Sequence, residues 1–244
     1  MEGYDASTYG RKMAGVYDEL YSRMFDNEGC VQFLRAKAGG GRALELAIGT
    51  GRIAVPLKES GVEVHGIDIS EEMVAKLRAK QGGEDVPVTL GDFADVKVEG
   101  DFDLIYIVFN TFFALLTQDD QVRCFTNVAE HLSREGVFVI EAFVPDLARF
   151  RMHQTTSVVD VQVDRVQLDA SRHDPVNQLI HSQHVFLGEQ DTRLYPVSLR
   201  YAYPPEMDLM ARVAGLALKE RWEDWRNGVF NSDSKSHISV YGFK

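Results

Sequence analysis

What the sequence lacks narrows its function before any motif is read. No apolar run approaches the roughly 20 residues that a membrane span needs. The longest, Leu104 to Leu116, is interrupted by Asn110 and Thr111. The N-terminus, Met1-Glu2-Gly3-Tyr4-Asp5, does not show the basic-then-apolar pattern of a secretory signal. Two cysteines, Cys30 and Cys124, lie far apart at no metal or redox spacing. They read as small packed side chains of a reduced, cytoplasmic protein. Basic residues are scarce: 26 Lys and Arg against 37 Asp and Glu leave a net charge of −11, and no basic cluster exceeds a pair. Phosphate backbones and anionic membrane surfaces are held by basic faces, so neither nucleic acid nor a membrane is expected as a partner. No cluster with metal-ligand spacing is present, which argues against a magnesium-dependent reaction, and no repeat or low-complexity segment interrupts the chain. What is there is the composition of a globular protein, 45% hydrophobic and 26% charged over 244 residues. That length suits one large domain or a domain with a sizeable insertion.

The order of patterns along the chain is informative. Met13, Tyr17, Leu20, Tyr21 and Met24 recur at helical spacing and predict an amphipathic helix over about 11–25. Its tyrosines, with Tyr4 and Tyr9 before them, either pack this helix on a sheet or turn hydroxyls toward a ligand. A short helix follows through Val31–Leu34 and breaks at Gly39-Gly40-Gly41. From Arg42 strands alternate with helices. Ala43–Ile48, Val62–Asp68, Pro87–Leu90, Phe102–Phe109 and Gly136–Ala142 read as strands. Helices are expected at Arg52–Glu59, after Ser70, and from Thr117, where Ser70 and Thr117 have the side chains of N-caps. This alternation predicts an open, mostly parallel sheet with helices on both faces. After Pro145 the texture changes to period-2 alternation: Val159, Val161 and Val163, then Leu179–Phe186, then Tyr195–Tyr203. An antiparallel insertion is expected there. Pro204-Pro205 ends it, a helix carries Met207, Met210 and Ala211, and Leu216–Trp222 and His237–Phe243 close the chain as a pair of strands. The expected organisation is an N-terminal helical cap over 1–38, a core from 39–150 with 204–244, and the insertion over 151–203 as either a lid or a dimer interface.

The stretch Glu45-Leu46-Ala47-Ile48-Gly49-Thr50-Gly51 carries the chemistry. It is a buried strand ending in a glycine turn that feeds a helix. Glycines let backbone approach a ligand where a Cβ would collide, and the helix N-terminus presents N–H groups to the same spot. With Ala54, the turn matches the dinucleotide pattern G-x-G-x-x-[G/A]. Asp68, ending the next strand, can accept from both ribose hydroxyls of any adenosine ligand. Three features point away from a dinucleotide: the buried acid Glu45, which needs donors; Gly91-Asp92-Phe93, an acid and an aromatic after the third strand; and the strand pair that closes the chain.

These pieces, with Asp68-Ile69-Ser70-Glu71-Glu72-Met73 and the strand Phe102–Asn110, resemble the class I S-adenosylmethionine-dependent methyltransferases. One departure is visible: Ala47 stands where the family usually has its first glycine. The resemblance implies a Rossmann-like, seven-stranded, mostly parallel sheet, S-adenosyl-L-methionine as cofactor, and roles by position. Tyr17, Glu45 and the turn Ala47, Gly49 and Gly51 would hold the methionine end. Asp68 would take the ribose, and Ile69 and Met73 would lie by the adenine. Gly91, Asp92 and Phe93 would hold the ring, and Phe109 and Asn110 would line the sulfonium. Arg52 is either a contact to the N-terminal lid or a solvated helix residue. The insertion resembles that of methyltransferases acting on amino sugars and other natural products.

The acceptor is less readable. An in-line methyl transfer to a small molecule, at a nitrogen or oxygen, requires positioning, and a hydroxyl acceptor also requires a base. Candidates are His153, in a loop that is either at the pocket mouth or merely at the surface; Glu141, which either faces the methyl site or is a satisfied acid; and Tyr9. His181 and His184, three apart in a strand, face opposite sides and read as structural. Phe109, Phe112, Phe113, Trp222 and Trp225 are candidates for an aromatic wall, with Phe113 and Trp222 facing substrate. A homodimer is one possible state. Two other classes share the turn: an NAD-dependent oxidoreductase, which would want a second dinucleotide half, and a non-catalytic S-adenosylmethionine-binding protein.

Overall fold

A computed structural model describes residues 1–21 and 25–244. The N-terminal segment forms two short helices, α1 (Thr8–Met13) and α2 (Tyr17–Tyr21), in place of the single helix expected over 11–25. The break falls at Ala14-Gly15-Val16, where the Val16 N–H donates to the Met13 carbonyl (2.9 Å). A mid-helix glycine costs roughly 1 kcal/mol relative to alanine, and nothing packs where a side chain on Gly15 would sit. Met24, counted in the helical stripe, lies outside the described residues.

α3 (Asn27–Ala38) begins at Asp26, whose side chain accepts from the Gly29 N–H, and stops at Gly39, which is left-handed at φ 58°. Strands and helices then alternate: β1 (Arg42–Leu46), α4 (Ala54–Glu59), β2 (Glu63–Asp68), α5 (Glu71–Arg78), β3 (Val88–Leu90), β4 (Phe102–Ile107), α6 (Gln118–His131) and β5 (Leu132–Phe143). Ser70 and Thr117 cap α5 and α6 by accepting from Met73 N and Asp120 N. The insertion holds four strands, β6 (Gln154–Val161), β7 (Arg165–Asp174), β8 (Leu179–Gly188) and β9 (Thr192–Arg200). Sequence patterning suggested three runs there and missed β7, although Val166, Leu168 and Ala170 share one of its faces. Val163 sits in the turn before β7 rather than in a strand. α7 (Pro204–Val213) uses both prolines in its first turn, where a missing N–H costs nothing. β10 (Leu216–Trp222) and β11 (Ser236–Phe243) complete the chain.

Seven strands form one sheet in the order β10-β11-β5-β4-β1-β2-β3, with β11 antiparallel to both its neighbours. The chain starts in the middle at β1, steps outward to β3, then crosses back to β4. β1 and β4 are parallel neighbours whose connections leave in opposite directions. A ligand crevice forms outside the carboxyl ends of such a pair. Apolar residues on both faces of these strands feed two core clusters, one containing Phe112, Phe125 and Phe138, the other Leu34, Ile53 and Tyr106. The four inserted strands form a separate antiparallel meander. A third cluster joins it to the N-terminal helices: Phe186 of β8 and Tyr195 of β9 pack with Met13, Ala14 and Met73. At its other end Arg200, 5% exposed by its side chain, pairs with Glu206 at 2.9 Å and bonds to Gln121 and Gln178. That lock ties β9 to α6 and α7.

Candidate active site

The site grows from the turn after β1. Ala47, Gly49 and Gly51 all have left-handed backbone (φ 57°, 56° and 72°). Ala47 therefore holds, with a Cβ, a conformation that favours glycine, at a cost of about 1 kcal/mol or slightly more. A Cβ on Gly51 would meet Leu77 Cδ1 at 2.3 Å. Asp68, 7% exposed, joins this turn to the next one: its Oδ2 accepts from Gly49 N (2.7 Å) and its Oδ1 from Ser70 N (2.8 Å). Burial raises its pKa, and these amide bonds oppose the rise. A carboxylate has about four acceptor positions, so capacity for further donors remains.

Glu45 is buried on β1. The donors it needs are the Tyr106 hydroxyl, directly beside it on β4 at 3.0 Å, and the Ala54 N–H at the start of α4. Burial pushes its carboxyl up to about 8, so it is mostly protonated at neutral pH. Tyr106 was not among the residues singled out from sequence, because a tyrosine inside an apolar strand looks like packing.

Arg52 is not a solvated helix residue. Its guanidinium lies 5.0 Å from the Phe25 ring centre and 5.6 Å from that of Phe109, bonds to Asn27 Oδ1, and lies near enough to Tyr17 to oppose the rise in that phenol's pKa. Its Nε is buried and takes no hydrogen-bond partner among the described residues. Burial raises the Tyr17 phenol to about 12 despite Arg52. The neighbouring Asp18 accepts from the Thr50 hydroxyl (2.7 Å) and pairs with Lys80 (2.8 Å), clasping α2 across the glycine turn.

Phe109 and Asn110, after β4, are both left-handed (φ 58° and 60°). Such strain persists where surroundings over-determine it and clusters at functional sites. Glu141 on β5 supplies that constraint: its Oε2 accepts from Phe109 N (2.7 Å) and its Oε1 from Trp225 Nε1 (3.1 Å). Asn110 Oδ1 accepts from Phe143 N (2.6 Å). Burial raises the Glu141 pKa. Around Phe109 stand Phe25, Tyr21 and Tyr17, with ring centres 4.4, 5.0 and 6.4 Å away. Tyr9 packs with Tyr17 and Tyr21 against the Met13 cluster, and burial raises its phenol.

The turn after β3 is simpler. Gly91 N donates to Asp68 O (2.9 Å), Asp92 Oδ1 accepts from Ala94 N (2.8 Å), and Phe93 packs on the main core. Ile69 is 42% exposed, an apolar side chain left open at the carboxyl edge of the sheet. Met73 faces the other way, buried against Met13.

Three sequence candidates stand apart from this group. His153 is exposed in the loop before β6, left-handed, its carbonyl accepting from His173 N, and its ring is near that of His173 rather than Phe109. Phe113 is fully buried in a one-turn 3-10 helix (Thr111–Ala114), which turns it into the core against Phe143. Trp222 packs against the other core cluster and donates to Glu220. The expected aromatic wall of Phe109, Phe112, Phe113, Trp222 and Trp225 is thus divided, Phe112 and Phe113 in one core cluster and Phe109, Trp222 and Trp225 with the other. The aromatic group that does form is Tyr17, Tyr21, Phe25 and Phe109. Tyr21 follows Tyr17 at helical spacing, which was a usable signal; Phe25 gave none.

A parallel sheet of this strand order, with an acid-bound glycine turn at its switch point and a clasp of N-terminal aromatics, defines a nucleoside-binding α/β enzyme. The comparisons narrow it. Residues 43–136 match the family model described as "Methyltransferase domain". The chain superposes on the CcbJ methyltransferase from Streptomyces caelestis with a TM-score of 0.92 and 40% identity, covering 98% of this chain and 99% of that one. It is 26% identical to the cypemycin N-terminal methyltransferase of a Streptomyces species over 87% of this chain and 88% of that protein. It is also 31% identical to the dTDP-4-amino-2,3,4,6-tetradeoxy-D-glucose N,N-dimethyltransferase of Saccharopolyspora spinosa over 56% of each. The chain belongs to the S-adenosylmethionine-dependent methyltransferases.

Proposed function

We propose that this enzyme methylates an amine nitrogen of a small natural-product intermediate. The observation that carries the reading is that none of the three acid–base candidates from the sequence is a free base beside Phe109, burial holding the Tyr9 phenol well above its usual range. Glu141 spends both oxygens on Phe109 N–H and Trp225 N–H, and His153 sits elsewhere. An acceptor with its own lone pair suits such a site better than a hydroxyl that must be ionised. The names of relatives agree: a peptide N-terminus for one and an amino sugar for another.

The residues fit the cofactor. The unpartnered buried Nε of Arg52 is an orphan donor where a carboxylate would be met, with Tyr17 beside it. Asp68 keeps acceptor capacity for ribose hydroxyls, Ile69 offers an apolar face to the adenine, and Asp92 an acceptor for its amino group. When bound, the sulfonium supplies an electrophilic methyl group. The chain's own part is positioning: Glu141 and Asn110 hold the strained Phe109 turn, Arg52 and Asp18 keep the N-terminal helices closed over it, and the aromatics exclude water. Alignment of this kind can account for roughly 7–11 kcal/mol of a barrier. The test is a panel of matched amine and alcohol acceptors incubated with S-adenosylmethionine and followed by mass spectrometry. Methylated amines are expected; products only from the alcohols would overturn the nitrogen assignment.

A further inference from the structure

The inner face of the insertion carries two side chains that the site above does not use. His184 on β8 and Asp169 on β7 are directly opposed in register, and His184 Nδ1 is bonded to Asp169 Oδ1. Side chains alternate across a strand, so His184 shares its face with Phe186 and, across the β8–β9 register, with Tyr195. Both of those are buried against Met13, Ala14 and Met73. The His184 face therefore looks toward the N-terminal cover and the parallel sheet. Asp169 lies close enough to the Tyr21 hydroxyl to add to the rise that burial gives that phenol. Tyr21 in turn touches Phe109. Tyr21 also packs against the cluster that holds Phe186 and Tyr195, the face neighbours of His184, so this face of the insertion lies next to the group around Phe109.

Stability does not account for the pair. The side chains are 23% and 33% exposed, and ion pairs of that kind contribute roughly 0–1 kcal/mol. Its chemistry is more specific. A carboxylate on Nδ1 fixes the tautomer in which Nε2 carries the lone pair, and among the described residues Nε2 takes no hydrogen bond. We propose that Asp169 and His184 form the acceptor-amine site, with His184 Nε2 taking the proton from the substrate ammonium beside Tyr21. This rests on the nitrogen-methylation reading above. The ammonium N–H proton passes to Nε2, leaving a neutral amine and an imidazolium held by the Asp169 carboxylate. The amine lone pair then forms the N–C bond as the C–S bond breaks, and that electron pair stays on sulfur, now a neutral thioether. The imidazolium returns its proton to solvent as product leaves. The titratable groups on the face of His184 are Asp169 from β7 and Tyr195 from β9, with Arg193 beside Phe186, and Tyr9 and Tyr21 of the cover pack against the same cluster.

Two measurements test it. In His184→Ala, kcat/KM for the best amine should fall about tenfold or more near pH 7. It should recover as the pH approaches the amine's own pKa, while calorimetric affinity for S-adenosylmethionine stays within about twofold. Asp169→Asn should move the acid limb of the pH profile. In the wild-type chain saturated with the demethylated cofactor, the His184 Nε2 resonance in ¹⁵N NMR should shift when the amine is added, a readout that survives poor folding of either variant. An unchanged pH profile in His184→Ala, or an unmoved Nε2 resonance, overturns the pair's role and leaves nitrogen methylation standing. If the wild type methylates alcohols and no amine, the nitrogen reading fails and takes this proposal with it.

Discussion

The two halves of the site are held in different ways. On the sheet side, acids grip backbone: Asp68 holds Gly49 and Ser70, and Glu141 holds Phe109. On the cover side, side chains grip one another: Asp18 with Thr50 and Lys80, and Arg52 with Asn27 and the Phe25 ring. A carboxylate bonded to turn amides is part of the turn and cannot leave without breaking it. A side-chain clasp can open one contact at a time, as a cover over an exchanging ligand must. The sheet side is therefore the rigid receptor and the cover the adjustable part.

Three variants press on that difference. Asp68→Ala should have the largest effect, because it orphans two amides at 1–3 kcal/mol each and removes the ribose acceptor. Cofactor affinity by calorimetry should fall by about tenfold or more, with a lower melting temperature. Unchanged affinity would mean that Asp68 serves the turns alone. Glu45→Gln should alter the pH dependence. The folded-state pKa of Glu45 is raised, to about 8 from 4.5, so the folded chain binds a proton that the unfolded chain gives up between those values. Its stabilising contribution is full below pH 4.5 and is lost as pH rises through about 8. The wild-type melting temperature should thus decline across that window relative to Glu45→Gln; parallel curves would show that the carboxyl is ionised. Thr50→Val should do least, removing one clasp bond worth about 1 kcal/mol. Hydrogen exchange in α2 should quicken while β1 and β2 stay protected. Equal loss of protection in both would erase the contrast between receptor and cover.

That contrast also tracks what could be read beforehand. Asp68, Gly49, Gly51, Asp92 and Ser70 were legible because each sits in a turn or cap at the end of a strand, where local geometry dictates residue type, although Asp68 also reaches back 19 residues to Gly49. Ala47 was legible as a departure, and its left-handed φ of 57° shows that the turn keeps its shape at some strain. Arg52 stayed ambiguous because its partners, Phe25, Asn27 and Phe109, come from distant parts of the chain. Phe113 and Trp222 were misplaced as one wall for the same reason: side-chain spacing says nothing about which side of a sheet a connection crosses. The strand β7 was missed although Val166, Leu168 and Ala170 alternate with polar residues, because the pattern lasts only three apolar positions before Arg172-His173-Asp174.

By itself, then, the sequence determined the parallel core, the glycine turn with its acids, and the family to which they belong. Strand period, caps and turn residues are local, and a nucleoside cofactor is held largely by local backbone. Only the tertiary structure decided which aromatics gather at Phe109, that Glu141 is a brace, and that Asp169 and His184 look inward. Those facts depend on how the insertion and the N-terminal helices fold back over the sheet, and contacts between segments far apart in the chain leave no period to read.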